Sequence, residues 1–183
     1  MEEKSTFWKT AALYGLYMGI VLTLFSVILY VAGQSQNKAL ALITYPLLAI
    51  GIIMAQINYR DRELNGVVSY GQALGFGVAV MLFVGIITTL YNLIIFKIDP
   101  SLIEQAKIMQ EEALLERGMS EEQIEASMAM TAKMMTPGWM AIMALFGSVL
   151  IGTIISLVTS IFVKRQPDMN AFDEAMEEVK TEE

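Results

Sequence analysis

The sequence contains no cysteine and no histidine. That excludes disulfide frameworks, Cys–His nucleophiles, zinc fingers, thiolate metal centres and haem held by histidine. Charge is also scarce. Lys, Arg, Asp and Glu make up 17% of the 183 residues, against 55% hydrophobic. Soluble domains carry nearer about 25% charged residues. The net charge is −7, which argues against nucleic acid as a partner, since no basic excess is present to meet phosphates.

What is there is a set of long charge-free windows. Thr10–Asn37, Ala39–Tyr59, Leu64–Phe96 and Met134–Val163 run for 28, 21, 33 and 30 residues without an ionisable Lys, Arg, Asp or Glu. A helix needs about 20 apolar residues to cross about 30 Å of hydrocarbon. The windows predict an all-α, polytopic membrane protein with four transmembrane helices at about 10–33, 39–59, 70–96 and 137–163. A soluble four-helix bundle would need polar outer faces at helical spacing, and Val78–Ile87 has none. The first apolar stretch exceeds the roughly 7–15 residues of a signal-peptide core, so cleavage after Ala32-Gly33 is not expected. The lipid bilayer is therefore the first predicted partner.

Local signals place the helix ends. Ser69 with Gln72 fits a capping box before the third span, and Thr136-Pro137 fits an N-cap with proline at N1 before the fourth. Pro46 predicts a kink in the second span. Trp8, Tyr59, Tyr70 and Trp139 fall near predicted interfaces, where amphipathic rings prefer to sit. Basic residues near the span ends favour the side that holds both termini, with clusters Arg60/Arg62 and Lys164/Arg165. That bias predicts both termini in the cytoplasm.

Two pieces lie outside the spans. Residues 97–136 read as an extracytoplasmic helical hairpin. Asp99-Pro100 starts its first helix, with Leu102, Ala106, Met109 and Ala113 as an apolar stripe, and Gly118 ends it. Ser120 with Gln123 starts the second helix by another capping box, with Ile124, Met128 and Met135 on its apolar side. Eight acidic and four basic residues give this hairpin a charge of −4. It reads either as a partner surface or, more simply, as a connector packed on the membrane domain. The tail, 166–183, is acidic, and Phe172, Met176 and Val179 sit at helical spacing within it.

Chemistry has few candidates. Eight of the 14 methionines lie between Met109 and Met143. Pairs such as Met128/Met130 and Met134/Met135 are the type of thioether that holds Cu(I), yet with no histidine or cysteine beside them gap-filling packing is the simpler use. No cofactor and no metal site are expected. All carboxylates lie outside the spans, and no span supplies a general base for a serine nucleophile, so the chain is not expected to be an enzyme. Ion coupling usually leaves an ionisable residue inside the membrane, and none is present. Neutral amides remain: Gln56, Gln72 and Asn92 are a candidate polar lining for a pore or neutral-solute carrier. Such amides more commonly hydrogen-bond between helices.

The sharpest pattern is small residues every four positions, which let backbones approach closely where apolar side chains gain little from one another. The first span carries Ala11, Gly15, Gly19 and Thr23. The third carries Gly71, Gly75 and Ala79. The fourth carries Ala144, Ser148, Gly152, Ser156 and Ser160. We take Gly15, Gly19, Gly71, Gly75, Ser148, Gly152 and Ser156 as predicted helix-packing positions, serving either the monomer or a homo-oligomer. Tyr14-Gly15 with Gly19 also echoes Tyr70-Gly71 with Gly75, a weak internal repeat.

Several short motifs occur in a fixed order: Asn58-Tyr59-Arg60-Asp61, Val68-Ser69-Tyr70-Gly71-Gln72-Ala73, Ile95-Phe96-Lys97-Ile98-Asp99-Pro100, Gly118-Met119-Ser120-Glu121-Glu122, Thr136-Pro137 and Lys164-Arg165. From Phe7 to Arg165 this order resembles the bacterial membrane-protein family known as domain of unknown function 4199, found mainly in Bacteroidetes. The resemblance implies four transmembrane helices in the inner membrane. It implies no activity and no catalytic residues. The leading expectation is a non-enzymatic scaffold or accessory component of the inner membrane. The alternative is a small pore or carrier for a neutral solute, and a third reading is lipid interaction through the hairpin.

Overall fold

A computed structural model describes residues 2–134 and 136–165. Phe172, Met176 and Val179 of the tail and the Met135 end of the hairpin stripe lie outside the described residues. Among the described residues seven helices follow in order: α1 (Glu2–Val31), α2 (Lys38–Leu42), α3 (Thr44–Glu63), α4 (Tyr70–Ile98), α5 (Ser101–Glu116), α6 (Glu121–Met134) and α7 (Pro137–Val163). Four stretches of the described residues are long and apolar enough to cross a membrane: Thr6–Val31, Lys38–Glu63, Tyr70–Ile98 and Gly138–Val163. The chain is a multi-pass membrane protein.

Helix ends follow from local chemistry. α1 stops at Gly33, whose φ of +67° lies in the left-handed region that favours a residue without a Cβ. The N–H of Gly33 bonds to the carbonyl of Tyr30, and that of Gln34 to Leu29, at 3.0 and 2.8 Å. This Schellman closure gives the Ala32-Gly33 pair a structural use. Gly118 closes α5 in the same way, with Met119 reaching back to Leu114. Both capping boxes form: Ser69 with Gln72 and Ser120 with Gln123. Thr136 takes the extended N-cap backbone before Pro137, but its side chain makes no capping bond.

The second span is interrupted one turn before its proline. Pro46 has no N–H for the carbonyl of Leu42, so the helical ladder fails there and α2 and α3 part at Ile43. Ile43 keeps helical angles, φ −63° and ψ −25°, so the span continues.

α4 is the central element. It packs most extensively against α7 on one side and α1 on the other, while α3 crosses against α7, α4 and α1. Phe76, Val80, Met81 and Val84 of α4 form the middle of the buried core, with Ala11, Leu22, Leu48, Ile52 and Ala55 from its neighbours. The outer faces of α1, α3 and α7 expose a belt of large apolar side chains, among them Tyr17, Leu24, Ile28, Ile50, Phe146, Ile154 and Phe162. Lipid is the solvent in which such a belt is favourable.

The hairpin of α5 and α6 is tied by Gln110 Nε2 donating to Thr131 Oγ1 at 2.9 Å, and Leu102 of α5 and Ile124 of α6 are buried. Ala106, Met109 and Ala113 are only half-buried, so the expected stripe is covered fully at its first residue alone.

Candidate functional site

The α4–α7 seam is the most closely built surface in the molecule. A Cβ on Gly77 would overlap Ser156 Oγ, one on Gly152 would overlap Met81 Cβ, and one on Gly85 would overlap Ser148 Oγ. These pairs step by four residues along each helix in antiparallel register. One step further, Gln56 Nε2 from α3 donates both to the carbonyl of Ala73, at 2.9 Å, and to Ser160 Oγ, at 3.0 Å. The α1–α4 contact is its parallel counterpart. Gly15 meets Phe83 and the Val80 carbonyl, and Gly19 meets Ile87.

The predicted packing residues therefore divide. Gly15 and Gly19 lie in the α1–α4 contact, and Ser148, Gly152 and Ser156 lie in the α4–α7 seam. Gly71 and Gly75 do not join them. A Cβ at either would meet nothing within 4 Å, because they lie on a face of α4 that the other spans leave open. The close approaches on α4 come instead from Gly77 and Gly85. The repeat that pairs Gly15/Gly19 with Gly71/Gly75 thus matches positions in different environments.

The amides also divide. Gln56 is buried, 1% exposed, in a polar node with Ser156, Thr159 and Ser160. Its Oε1 and the Oγ of Ser156 are buried with no partner among the described residues. Gln72 lies at the exposed start of α4, where its Oε1 accepts from the Ser69 N–H at 3.0 Å and caps the helix. Asn92 lies near the other end of α4, at the edge of two crevices.

The end of the bundle where α1 begins and α7 ends is closed by contacts the sequence did not announce. Val68 and Arg165 exchange backbone hydrogen bonds at 2.9 and 3.0 Å, tying the α3–α4 turn to the end of α7. Arg60 Nη1 donates to the Val163 carbonyl at 3.2 Å, while its Nε bonds to Asp61 at 2.7 Å. Asn65 and Gly66, both at positive φ, make the turn between them. Tyr59 stacks on Phe76 with ring centroids 4.1 Å apart, and Phe7 sets its edge against both rings. Tyr59 is thus buried, 8% exposed, and belongs to the core instead of the interfacial belt.

At the opposite end, Tyr30 Oη donates to Asp99 Oδ2 at 3.0 Å, and Asp99 Oδ1 accepts from the Ser101 N–H at 3.1 Å. Ser101 Oγ also donates to Asp99 Oδ1 at 2.5 Å, and this bond, then that from Tyr30, holds the Asp99 carboxyl below its ordinary pKa. This corner joins the end of α1 to the start of α5.

A family model described as protein of unknown function (DUF4199) matches residues 13–165. The chain belongs to that family. No curated protein and no solved structure matches it. In this DUF4199 chain, the motifs quoted above fall at structural corners: Asn58–Asp61 and Val68–Ala73 at the closed end, and Ile95–Pro100 at the Tyr30–Asp99 corner.

Proposed function

We propose that this DUF4199 protein is a non-enzymatic scaffold or accessory component of the bacterial inner membrane, with both termini cytoplasmic and the α5–α6 hairpin outside. The observation that carries the reading is the use made of Gln56. The only carboxamide buried among the described spans is spent on binding α3 to α4 and α7. Two of the three amides that a carrier would need, Gln56 and Gln72, are engaged in holding or capping helices. With the small-residue rows of α1 and α7 spent inside the chain, the surfaces left for a partner are the open Gly71/Gly75 face of α4, the lipid-facing belt and the acidic hairpin. The hairpin exposes Ile108, Leu115 and Met130.

Purification from native membranes in mild detergent, with identification of co-purifying proteins, tests the role. A stoichiometric partner is expected, and a chain recovered alone at every detergent strength would refute it. Orientation is read separately. A reporter fused after Glu183 is active only in its cytoplasmic form, and a cysteine placed at Glu112 is labelled by an impermeant reagent from outside. The reverse pattern overturns the topology.

A further inference from the structure

A crevice of about 310 Å³ opens at the hairpin end between α1, the α1–α2 loop, α4 and α5. Six of its eleven lining residues carry a hydroxyl or carboxamide: Ser26, Tyr30, Ser35, Gln36, Tyr91 and Asn92. Tyr30 is engaged with Asp99. Among the described residues the other five side chains have no intramolecular hydrogen-bond partner. This is the reverse of Gln56 and Gln72, whose amides are spent on the fold. Five side chains with free donors and acceptors gather at one opening, and Leu29, Ile95, Phe96 and Leu102 supply apolar surface between them.

The lining also fixes the charge of what fits. Among the described residues no lysine or arginine lines the crevice, so a phosphate or carboxylate finds no countercharge among them. No carboxylate among them lines it either, and the neighbouring Asp99 is taken by Tyr30 and Ser101. Hydroxyls and amides can donate and accept, and aromatic rings can receive the C–H face of a saturated ring. The volume lies at the lower end of the roughly 300–1,000 Å³ of small-molecule pockets, enough for one small ring. α4 has 29 residues and is about 43 Å long at about 1.5 Å per residue, so a hydrocarbon core of about 30 Å centred on it ends about 7 Å short of Ile98, and Asn92, about 9 Å from Ile98, falls at that edge.

We propose that this crevice binds an uncharged polyhydroxylated group, one sugar-like ring, presented either free in water or as a lipid headgroup. The site stands apart from the scaffold reading and holds whether or not a protein partner exists.

The test uses the full chain purified in a detergent without a sugar headgroup. Native mass spectrometry measures retention of monoglucosyl-diacylglycerol in competition with phosphatidylglycerol, and calorimetry measures binding of free glucose. One saturable adduct of the glucolipid, free glucose, or both is expected. Affinity should fall about tenfold or more in Asn92→Leu, which leaves the ligand's hydroxyls unpaired. A smaller loss is expected in Tyr91→Phe. Glucolipid alone identifies a headgroup site, and glucose alone identifies a site for a free solute. Should Asn92→Leu fail to fold, Tyr91→Phe and Gln36→Ala carry the same comparison. No binding of either probe, binding indifferent to these substitutions, or displacement by phosphatidylglycerol would overturn the proposal.

Discussion

Replacing one glycine by alanine should have opposite effects on the two faces of this bundle. At Gly152 the added Cβ overlaps Met81 Cβ, an atom anchored to the α4 backbone that no rotamer change can move aside. The helices must part, and the neighbouring steps at Ser148 and Ser156 lose contact with them. Overpacking of this kind costs about 1–3 kcal/mol. Removing a helix glycine returns about 0.5–1 kcal/mol, which leaves Gly152→Ala destabilised by about 1–2 kcal/mol. At Gly75 the same methyl group meets nothing within 4 Å, so only the gain remains. The two variants should differ by about 2 kcal/mol, roughly thirtyfold in the unfolding constant. Reversible unfolding in bicelles, followed by tryptophan fluorescence, measures this. Trp8 sits 6.3 Å from Phe83 in the α1–α4 contact and reports on it. Equal stability of the two variants, or a greater loss at Gly75, would refute the assigned seam.

Further outcomes follow from the polar contacts. Gln56→Leu should change stability by less than about 1 kcal/mol, because interhelical bonds in lipid average about 0.6 kcal/mol each and an unpaired buried Oε1 is removed with them. Gln56→Glu should be far more damaging, and equal unfolding curves for the two would contradict the node. Asp99 has a depressed folded pKa, so its contribution is present above the ordinary carboxyl value of about 4 and is lost as pH falls through the lower folded value. Amide exchange at Ser101–Glu104 should therefore be indifferent to pH 5–8, after correction for intrinsic rates, and accelerate under stronger acid; acceleration already between pH 7 and 5 would exclude Asp99 as the cause. Arg60→Met keeps the stem but loses the bond to the Val163 carbonyl. Trypsin should then cut after Lys164 or Arg165 faster than in the parent, while unchanged cleavage would mean that Arg60 does not hold this end.

The fold was legible because the membrane imposes a simple rule. Absence of charge over 20 or more residues locates a span whatever its neighbours do, and capping boxes and glycine stops depend on adjacent residues only. That is why Ser69/Gln72, Ser120/Gln123 and Gly118 could be read directly. Contacts distant in sequence have no such signature. Arg60 reaching the Val163 carbonyl, Val68 pairing with Arg165, and Tyr30 meeting Asp99 each depend on two helix ends arriving at one place. Tyr59 resembles an interfacial anchor in sequence. Only the arrival of Phe7 and Phe76 makes it a core residue.

The row on α4 that meets no other span shows where sequence pattern stops deciding. This helix carries two small-residue rows, Gly71/Gly75/Ala79 and Ala73/Gly77/Gly85. Offset by two residues at about 100° per residue, they lie about 160° apart around the axis. By spacing alone the first is the more regular, since Met81 interrupts the second. What selects the second is the opposing helix. α7 presents Gly152 at the one step where α4 presents Met81, and serines where α4 presents glycine. The large residue on one helix falls opposite the small one on the other, so the interruption is part of the fit. A row of small residues thus marks a candidate contact, and complementarity with a second row in register identifies the one that is used. The same reasoning explains why Gln56 sits where it does. The next step of that register, Ala73 opposite Ser160, leaves room for a side chain from a third helix. The Gln56 amide fills it by bonding to both, fixing α3 against a pair of helices already aligned.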